Sequence, residues 1–518
     1  MKPHQRRNRP DIILLVLDTQ RADRLSCYGY PVETSPCLDS LASDSTLFTH
    51  AVSPAQWTVP SHASLFTGLY PSRHTMRDLN SVLPPSVTTL AERLKQSGYH
   101  NALFSSNPLV GAKNNGLQRG FDHVSNFHYP GLGVWTSHLP QVGSTDRRRI
   151  WQMLVALSGY RQGRARNPIF RRLSPAIDAA IKLRIGSKDK ITRRTLGRAS
   201  RLLVDRGDLP PDQPLFVFIN LMGTHVPYQP PRWATRRFVR RSTGEKITGA
   251  RLMRINAFAM DMKNWLRMEP LEEGDRAILN GLYDAEVAAQ DRQIGKFIDT
   301  LRDTGTLDGT FLAVVADHGD HLGEKHRLSH VHGACEELLH VPLLIRDPTG
   351  RLPRGGKISP FVSTRRLFHT ALAAAEATTL DEERLSLLDS GAPDSSSHLG
   401  EEHDTAFAET TTLSWVIQHC ENEDPSRLKE CLHDQSFQAA YSDAFKLIRC
   451  NSRIEVFNVR NDPTESKDLS RSPSVPTDRL LELLDRFQRT STPAEGSLTQ
   501  EEEDEEILKR LQALGYAG

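Results

Sequence analysis

The stretch 12-IILLVL-17 is a continuous run of six apolar residues that ends at Asp18. Its β-branched residues and its lack of polar alternation are typical of a strand buried on both faces of a parallel sheet. Similar runs recur at Asn101–Ser106, Leu215–Leu221, Phe311–Ala316 and Val341–Arg346. Helical patterns lie between them, for example at Thr88–Ser97 and Asp284–Asp303. This alternation predicts an α/β fold with a doubly wound, mostly parallel sheet flanked by helices.

Polar side chains follow four of these predicted strands. Asp18 follows the first, Asn107 the second, His225 the third and the pair Asp317-His318 the fourth. In a doubly wound sheet the working residues lie just beyond the carboxyl ends of the strands. We therefore expect these side chains to meet at one edge of the sheet.

The composition is that of a globular protein. The chain has 518 residues, of which 38% are hydrophobic and 25% charged, and this composition excludes a disordered, collagenous or coiled-coil chain. The formal net charge of +2 excludes little, because charge can be segregated along the chain. Its length predicts two or more domains. The six cysteines lack CxxC pairs, and no run approaches the roughly 20 apolar residues of a membrane helix. No secretory signal pattern precedes Ile12, so we expect a cytoplasmic protein.

The sequence pattern changes near residue 365. We predict a catalytic domain over residues 1–365, a helix and connection over 366–404, and a C-terminal α+β subdomain over 405–518. Short alternating runs predict a small antiparallel sheet in this subdomain, at Ala406–Glu409, Leu413–Gln418, Phe437–Ser442, Phe445–Cys450 and Arg453–Asn458. The closing segment Glu501–Leu514 has its acids first and its bases later, as suits the dipole of a helix.

A basic insertion interrupts the catalytic domain at about residues 133–207. Between Arg147 and Arg206 there are 17 Lys or Arg and 3 Asp or Glu residues, and a second basic cluster runs from Arg232 to Arg241. Two interpretations stay open: solvated helix faces, or a basic rim that attracts an anionic substrate, a polyanionic polymer or a lipid headgroup. The insertion has few aromatic residues and no recognisable nucleic-acid-binding module, so we expect no nucleic-acid partner.

The segment Asp317-His318-Gly319-Asp320 suggests a metal site. A carboxylate and an imidazole adjacent at a strand end suit a hard or borderline divalent cation. A capping Asp beside a surface His is the alternative explanation, and Asp18 taken alone is equally compatible with a helix N-cap.

Residues 56–74, QWTVPSHASLFTGLYPSRH, are the most informative stretch. They resemble the signature of the sulfatases of the alkaline phosphatase superfamily, in which C/S-x-P-x-R is followed by a helix and T-G-x-x-P. Other motifs similar to that family's occur in the same order: 18-DTQRAD…CYGYP…TSPCLD-39, 223-GTHVPYQPP-231, 283-YDAE…D-291, 316-ADHGDHLGE-324 and 336-EELLHVPLLI-345. The resemblance covers most of the chain outside about 130–210 and 370–405, and it implies an alkaline-phosphatase-like fold.

The resemblance also implies roles for individual residues. Asp18, Thr58, Asp317 and His318 would hold one divalent cation, Ca²⁺, Mg²⁺ or Mn²⁺, and Thr58 takes the position of the nucleophile.

Four further positions would surround the transferred group and the leaving oxygen. Asn107 falls where the family has a polar side chain that contacts the anion. His225 and His332 fall where it has a histidine and a lysine, and His62 falls where it usually has an arginine.

Two residues depart from the family pattern. Sulfatases make formylglycine from Cys or Ser, but Thr58 carries an extra methyl group on Cβ, so the aldehyde cannot form. A threonine hydroxyl beside a cation is still a competent nucleophile, as in the phosphodiesterase and transferase branches of the superfamily. We expect Thr58 just ahead of a helix that starts at Pro60, near the positive end of its dipole. His62 in place of arginine makes the anion contact pH-dependent near neutrality.

Three functions are compatible with these features. We favour a metal-dependent hydrolase of a sulfate, phosphate or phosphonate ester. The second is a soluble phospho- or sulfo-group transferase, and the third is a non-catalytic sulfatase-like binding protein. Retention of Asp18, Asp317 and His318 at separate strand ends argues against the third. The substrate expected for either enzyme is an anionic ester.

Overall fold

A computed structural model describes residues 9–126, 188–244, 247–260, 265, 271–390, 404–413, 417, 436–491, 493–494 and 498–499. In chain order its strands are β1 (Asp11–Leu17), β2 (Thr46–Val52), β3 (Ser81–Val82), β4 (His100–Ser105), β5 (His123–Asn126), β6 (Leu215–Leu221), β7 (Thr310–Val315), β8 (His321–Leu322), β9 (Leu328–Ser329), β10 (His340–Arg346), β11 (Lys357–Ile358), β12 (Val362–Ser363), β13 (Thr405–Thr411), β14 (Ser436–Ser442), β15 (Phe445–Cys450), β16 (Arg453–Phe457) and β17 (Leu498–Thr499).

The α-helices connect these strands. They are α1 (Pro36–Ala42), α2 (Thr58–Thr67), α3 (Pro71–His74), α4 (Leu90–Gln96), α5 (Pro108–Gly111), α6 (Lys188–Asp205), α7 (Arg232–Thr243), α8 (Gly249–Met260), α9 (Glu273–Asp303), α10 (Glu336–Leu339), α11 (Leu367–Ala374), α12 (Leu380–Glu383) and α13 (Thr477–Thr490).

The fold is mixed α/β, and its large sheet is mostly parallel, as the apolar runs predict. Its order is β11-β2-β10-β7-β1-β6-β4-β5, with β12 beside β2. Strand β10 runs antiparallel to both β7 and β2, whereas β1, β4, β5, β6 and β7 are parallel to one another. Every residue of β1 and β6 is buried, because helices cover the sheet.

All five predicted strands are present, and the parallel arrangement of β1, β4, β6 and β7 brings their carboxyl ends to one edge. The two predicted helices are also present with shifted bounds. Helix α4 begins after Thr89, whose side chain forms a capping box with Glu92. Helix α9 begins at Glu273 rather than at Asp284, with Glu273 and Asp275 in its first turn, where acids suit the helix dipole.

The C-terminal sheet is antiparallel and separate from the large sheet. Its four strands have the order β13-β14-β15-β16, and α13 packs against it through Leu480, Leu484 and Phe487. The predicted strand at Leu413–Gln418 is wrong, because Leu413 lies outside any strand and Ile417 is helical. The chain leaves the small sheet after Thr411, and Leu413 is buried in the main hydrophobic core instead.

Several predictions lie outside the described residues. These are the basic insertion up to residue 187, the connection over 391–403 and the helix at Glu501–Leu514. The domain boundaries near 365 and 404 stay predictions. None of the described helices is long and apolar enough to cross a membrane.

Candidate active site

Three of the predicted metal ligands meet at the carboxyl edge of the large sheet. Asp18 directly follows β1, and Asp317 and His318 lie in the loop after β7. One ligand atom from each lies within 4.8 Å of the other two, and all three side chains are fully buried. Parallel pairing of β1 with β7 explains this, because it brings the two strand ends side by side.

The donor atoms of this group fit a divalent cation. Asp18 Oδ1 and Asp317 Oδ2 are buried and accept no hydrogen bond. His318 Nδ1 donates to the carbonyl oxygen of Gly319 at 2.8 Å, which leaves a lone pair on Nε2. Burial raises the pKa of both Asp18 and Asp317 to about 7, and at Asp18 the neighbouring charge of Asp317 adds to the shift. A cation between them would remove that penalty.

Thr58 lies beside this group at the first residue of α2. Its Oγ1 is 3.5 Å from His318 Nε2 and 3.5 Å from Asn107 Nδ2. The expected helix start at Pro60 is wrong by two residues, since α2 begins at Thr58 itself. The hydroxyl therefore lies in the first turn of the helix, where the dipole favours a developing negative charge.

The neighbouring serines of α2 have structural partners instead. Ser61 Oγ donates to the carbonyl oxygen of Trp57 at 2.8 Å, and Ser64 Oγ lies 3.0 Å from His74 Nε2. These bonds hold the first turn of α2 and the start of the following segment. Within α2 the hydroxyl that faces the metal-ligand group is that of Thr58.

His62 turns both ring nitrogens toward protein groups. Nδ1 bonds the carbonyl oxygen of Thr58 at 2.9 Å and lies 3.4 Å from Asp317 Oδ2, and Asn220 Nδ2 donates to Nε2 at 3.2 Å. Burial lowers the His62 pKa to about 3, so the ring is neutral in this environment. These contacts position Thr58 and Asp317, and they differ from the pH-dependent anion contact expected at this residue.

Asn107 contacts the metal-ligand group rather than open solvent. Its Nδ2 donates to Asp18 Oδ2 at 2.7 Å, and its Oδ1 accepts from the amide of Leu109 at 2.9 Å as the N-cap of α5. Asn220 Nδ2 lies 3.5 Å from the same Asp18 oxygen. Sequence reasoning missed Asn220, although it is the one polar residue of the apolar run Leu215–Leu221.

A chain of histidine rings extends from His318 toward His225. The His330 ring lies 4.4 Å from that of His318 and 5.3 Å from that of His225, measured between centroids. His330 Nδ1 is 3.2 Å from Asp320 Oδ1. Burial lowers the pKa of His225 and of His330 to about 3. His330 and Asp320 were not assigned roles from the sequence, although both lie near the Asp317-His318 motif.

His332 contacts the C-terminal part of the chain. Its Nδ1 lies 2.7 Å from Thr412 Oγ1, and its ring packs edge-on against Phe437 at 5.0 Å between centroids. These contacts join the loop after β9 to the residue that follows β13 and to β14. A role for His332 beside the transferred group stays a prediction.

This fold and this arrangement of ligands define the class of protein. The sequence profile of the Sulfatase family matches residues 10–377, and the chain therefore belongs to the sulfatase family.

Individual relatives have low sequence identity to this chain, but the similarity extends over most of its length. An arylsulfatase of Clostridium perfringens (strain 13 / Type A) is 22% identical over 408 residues, which cover 74% of this chain and 78% of the relative. The uncharacterized sulfatase YidJ of Escherichia coli (strain K12) is 23% identical, with 66% of this chain and 63% of the relative covered. The crystal structure of a phosphonate monoester hydrolase of Agrobacterium radiobacter superimposes with a TM-score of 0.64 at 20% identity, covering 95% of this chain and 100% of that one.

Proposed function

We propose that this protein is a divalent-cation-dependent hydrolase of anionic esters that uses Thr58 as its nucleophile. The observation that carries the proposal is that Asp18, Asp317 and His318 come together and that the Thr58 hydroxyl, at the start of α2, lies 3.5 Å from the Nε2 atom of that histidine. The relatives named above include an arylsulfatase and a phosphonate monoester hydrolase, which supports sulfate and phosphonate esters as substrate classes, and we include phosphate esters in the proposal.

The chain's own residues account for the reaction in two displacements. Thr58 Oγ1 attacks the central sulfur or phosphorus atom, its proton passes to solvent, a bond forms between the two atoms, and the bond to the leaving oxygen breaks. Water then attacks the same atom, the bond to Thr58 Oγ1 breaks, and that oxygen takes back a proton, so Thr58 is regenerated. When bound, the cation lowers the pKa of the attacking hydroxyl and offsets negative charge on the transferred group. Asn107 and His62 hold Asp18 and Thr58 in place during both steps.

His225 is the candidate for moving the proton of the leaving group. Its Nδ1 donates to the carbonyl oxygen of Val226 at 2.6 Å, which leaves a lone pair on Nε2. Nε2 can therefore take up a proton from solvent and pass it to the leaving oxygen as the bond breaks.

Variants of Thr58 test the nucleophile directly. Sulfate, phosphate and phenylphosphonate esters of 4-nitrophenol are assayed with Mg²⁺, Mn²⁺ or Ca²⁺ and with EDTA. We expect Thr58→Ala to lower kcat by at least about 100-fold, which is at the low end of the effect of removing a reacting group. Thr58→Ser should keep activity, because it keeps the hydroxyl. Ser61→Ala is the matched control, three residues further along α2. Equal activity in Thr58→Ala and the wild type, or turnover in EDTA, would contradict the proposal.

Basic surfaces on helices α6 and α7 support a multiply charged substrate. Helices α6 and α7 both pack on α9, and arginines on their outer faces are exposed to solvent, among them Arg193, Arg194, Arg236 and Arg240. Trp233 on α7 is 38% exposed and lies 5.4 Å from the Arg292 guanidinium of α9. We include in the proposal that this face attracts a polyanionic ester by its long-range field.

A further inference from the structure

Lys188 is a buried cation next to the candidate catalytic histidine. It is the first residue of α6 and only 8% exposed. Its Nζ donates to the carbonyl oxygen of His225 and lies 3.4 Å from that of Gly223. Both acceptors belong to the segment of residues 223–229 that follows β6, and we call this segment the His225 loop.

Side chains from other helices also hold the His225 loop. The amide of Gly223 donates to Gln290 Oε1 at 2.9 Å, and the amide of Gln229 donates to Glu286. Asn256 of α8 accepts from the Tyr228 amide at 2.6 Å and donates to the Tyr228 carbonyl at 2.8 Å. Lys188 differs from these residues in bonding the carbonyl of His225 itself.

The charges around Lys188 explain why a lysine is tolerated there. Burial disfavours the charged form and lowers the Lys188 pKa, whereas the nearby carboxyl groups of Glu286, Asp18 and Asp320 favour that form. The carboxylates thus retain an ammonium that can form a charge-assisted hydrogen bond to the His225 backbone.

Two histidines of the site stand where the family resemblance implies cationic residues, so the positive charge of Lys188 is of particular interest. His62 and His332 occupy positions where the family resemblance implies an arginine and a lysine. Lys188 reaches the site from a different element, the first turn of α6.

We propose that Lys188 is a positioning residue, whose ammonium group fixes the His225 backbone so that Nε2 faces the leaving oxygen. This inference rests on the proposed function, because it assigns Lys188 to the same reaction. It predicts that Lys188 acts on leaving-group protonation more than on attack by Thr58.

Substrates with different leaving groups separate these two steps. An alkyl ester needs protonation of its leaving oxygen, whereas a 4-nitrophenyl ester leaves readily without it. We expect Lys188→Met to lower kcat for the alkyl ester by roughly 10- to 100-fold, because the variant loses one hydrogen bond donated by a charged group, and such a bond is worth about that factor. For the 4-nitrophenyl ester kcat should stay within about threefold of the wild type. A purely structural role would instead lower both rates equally, and that result overturns the inference.

Matched variants complete the test. Lys190→Met removes an exposed lysine from the same turn of α6 and should change neither rate. If Lys188→Met does not fold, Lys188→Gln carries the same expectation because it removes the charge and keeps most of the side chain. Lys188→Arg should recover part of the alkyl-ester rate.

A double-mutant cycle shows whether Lys188 acts through His225. In a His225→Ala background, Lys188→Met should lower kcat for the alkyl ester by less than about threefold, because no imidazole remains to be positioned. Additive losses would overturn the inference while leaving the proposed hydrolase intact. A wild-type protein that turns over none of the esters refutes the proposed function itself.

Discussion

Replacing Asp317 by Asn should make the metal-free protein more stable at alkaline pH. Burial raises the pKa of Asp317 from 3.8 to about 7. The stability linked to its protonated form is fully present below about pH 4 and is lost as pH rises through about 7. The neutral amide of the Asp317→Asn variant does not titrate and carries no such loss. At pH 8 without metal we therefore expect Asp317→Asn to be more stable than the wild type by roughly 2–4 kcal/mol.

The local geometry favours an amide side chain at this position. The Oδ1 atom that accepts from the amides of Thr19 (3.2 Å) and His318 (2.9 Å) is kept as the amide oxygen. The new amide nitrogen takes the place of Oδ2, which lies 3.3 Å from His318 Nε2. That ring nitrogen carries a lone pair, so the new amide can donate to it. The substitution also removes the negative charge that faces Asp18.

Urea unfolding followed by circular dichroism measures the effect. In EDTA, the advantage of Asp317→Asn over the wild type should be large at pH 8 and much smaller at pH 5. Addition of Mn²⁺ should stabilise the wild type and leave the variant unchanged, because the variant lacks one anionic ligand.

Asp347→Asn is the matched control. Asp347 is also a buried carboxylate, but its oxygens accept from Thr349 and Arg351 in the turn after β10. We expect that variant to lose stability at both pH values. The reasoning is refuted if Asp317→Asn is less stable than the wild type in EDTA at pH 8, or if Mn²⁺ stabilises it as strongly.

Three other outcomes follow from named contacts. Asn107→Ala should weaken Mn²⁺ binding by about 10- to 100-fold in calorimetry, because Asp18 loses the partner that orients it. Combined Arg193→Ala, Arg194→Ala and Arg236→Ala substitutions should flatten the salt dependence of kcat/KM for a polyanionic ester, since exposed charges act within a Debye length of about 8 Å. Alanine substitution of the exposed Arg486 and Arg489 on α13 is the control. An unchanged salt dependence in the triple variant would mean that these arginines do not attract the substrate. Lys446→Met should lower the free energy of unfolding, measured in urea, by roughly 3–5 kcal/mol. It removes the ammonium that lies 2.9 Å from the buried Glu336 and 2.6 Å from the buried Glu465. The control Lys467→Met, at an exposed lysine, should change that free energy little.

The α/β fold and the main ligand group could be predicted from local sequence. Runs such as Ile12–Leu17 have no polar face and are rich in β-branched residues, which is typical of strands buried between helices. Once the strands are parallel, residues that directly follow them, Asp18 and Asp317 among them, must lie at the same edge. The C-terminal strands were predictable for a similar reason, except Leu413–Gln418, whose alternation did not show that Leu413 belongs to the main core.

Contacts between distant segments were decided only by the tertiary structure. Lys188 and His225 are joined by packing of α6 and the His225 loop, and no spacing in the sequence indicates that bond. The neutral state of His62 depends on complete burial, with Asn220 and the Thr58 carbonyl as its partners, which residue type alone does not determine. Local sequence determines which residues form strands and which follow them, because that depends on side-chain polarity along the chain. Burial and charge pairing depend on what packs from elsewhere, so the ionisation of the site and the residues that position it exist only in the folded protein.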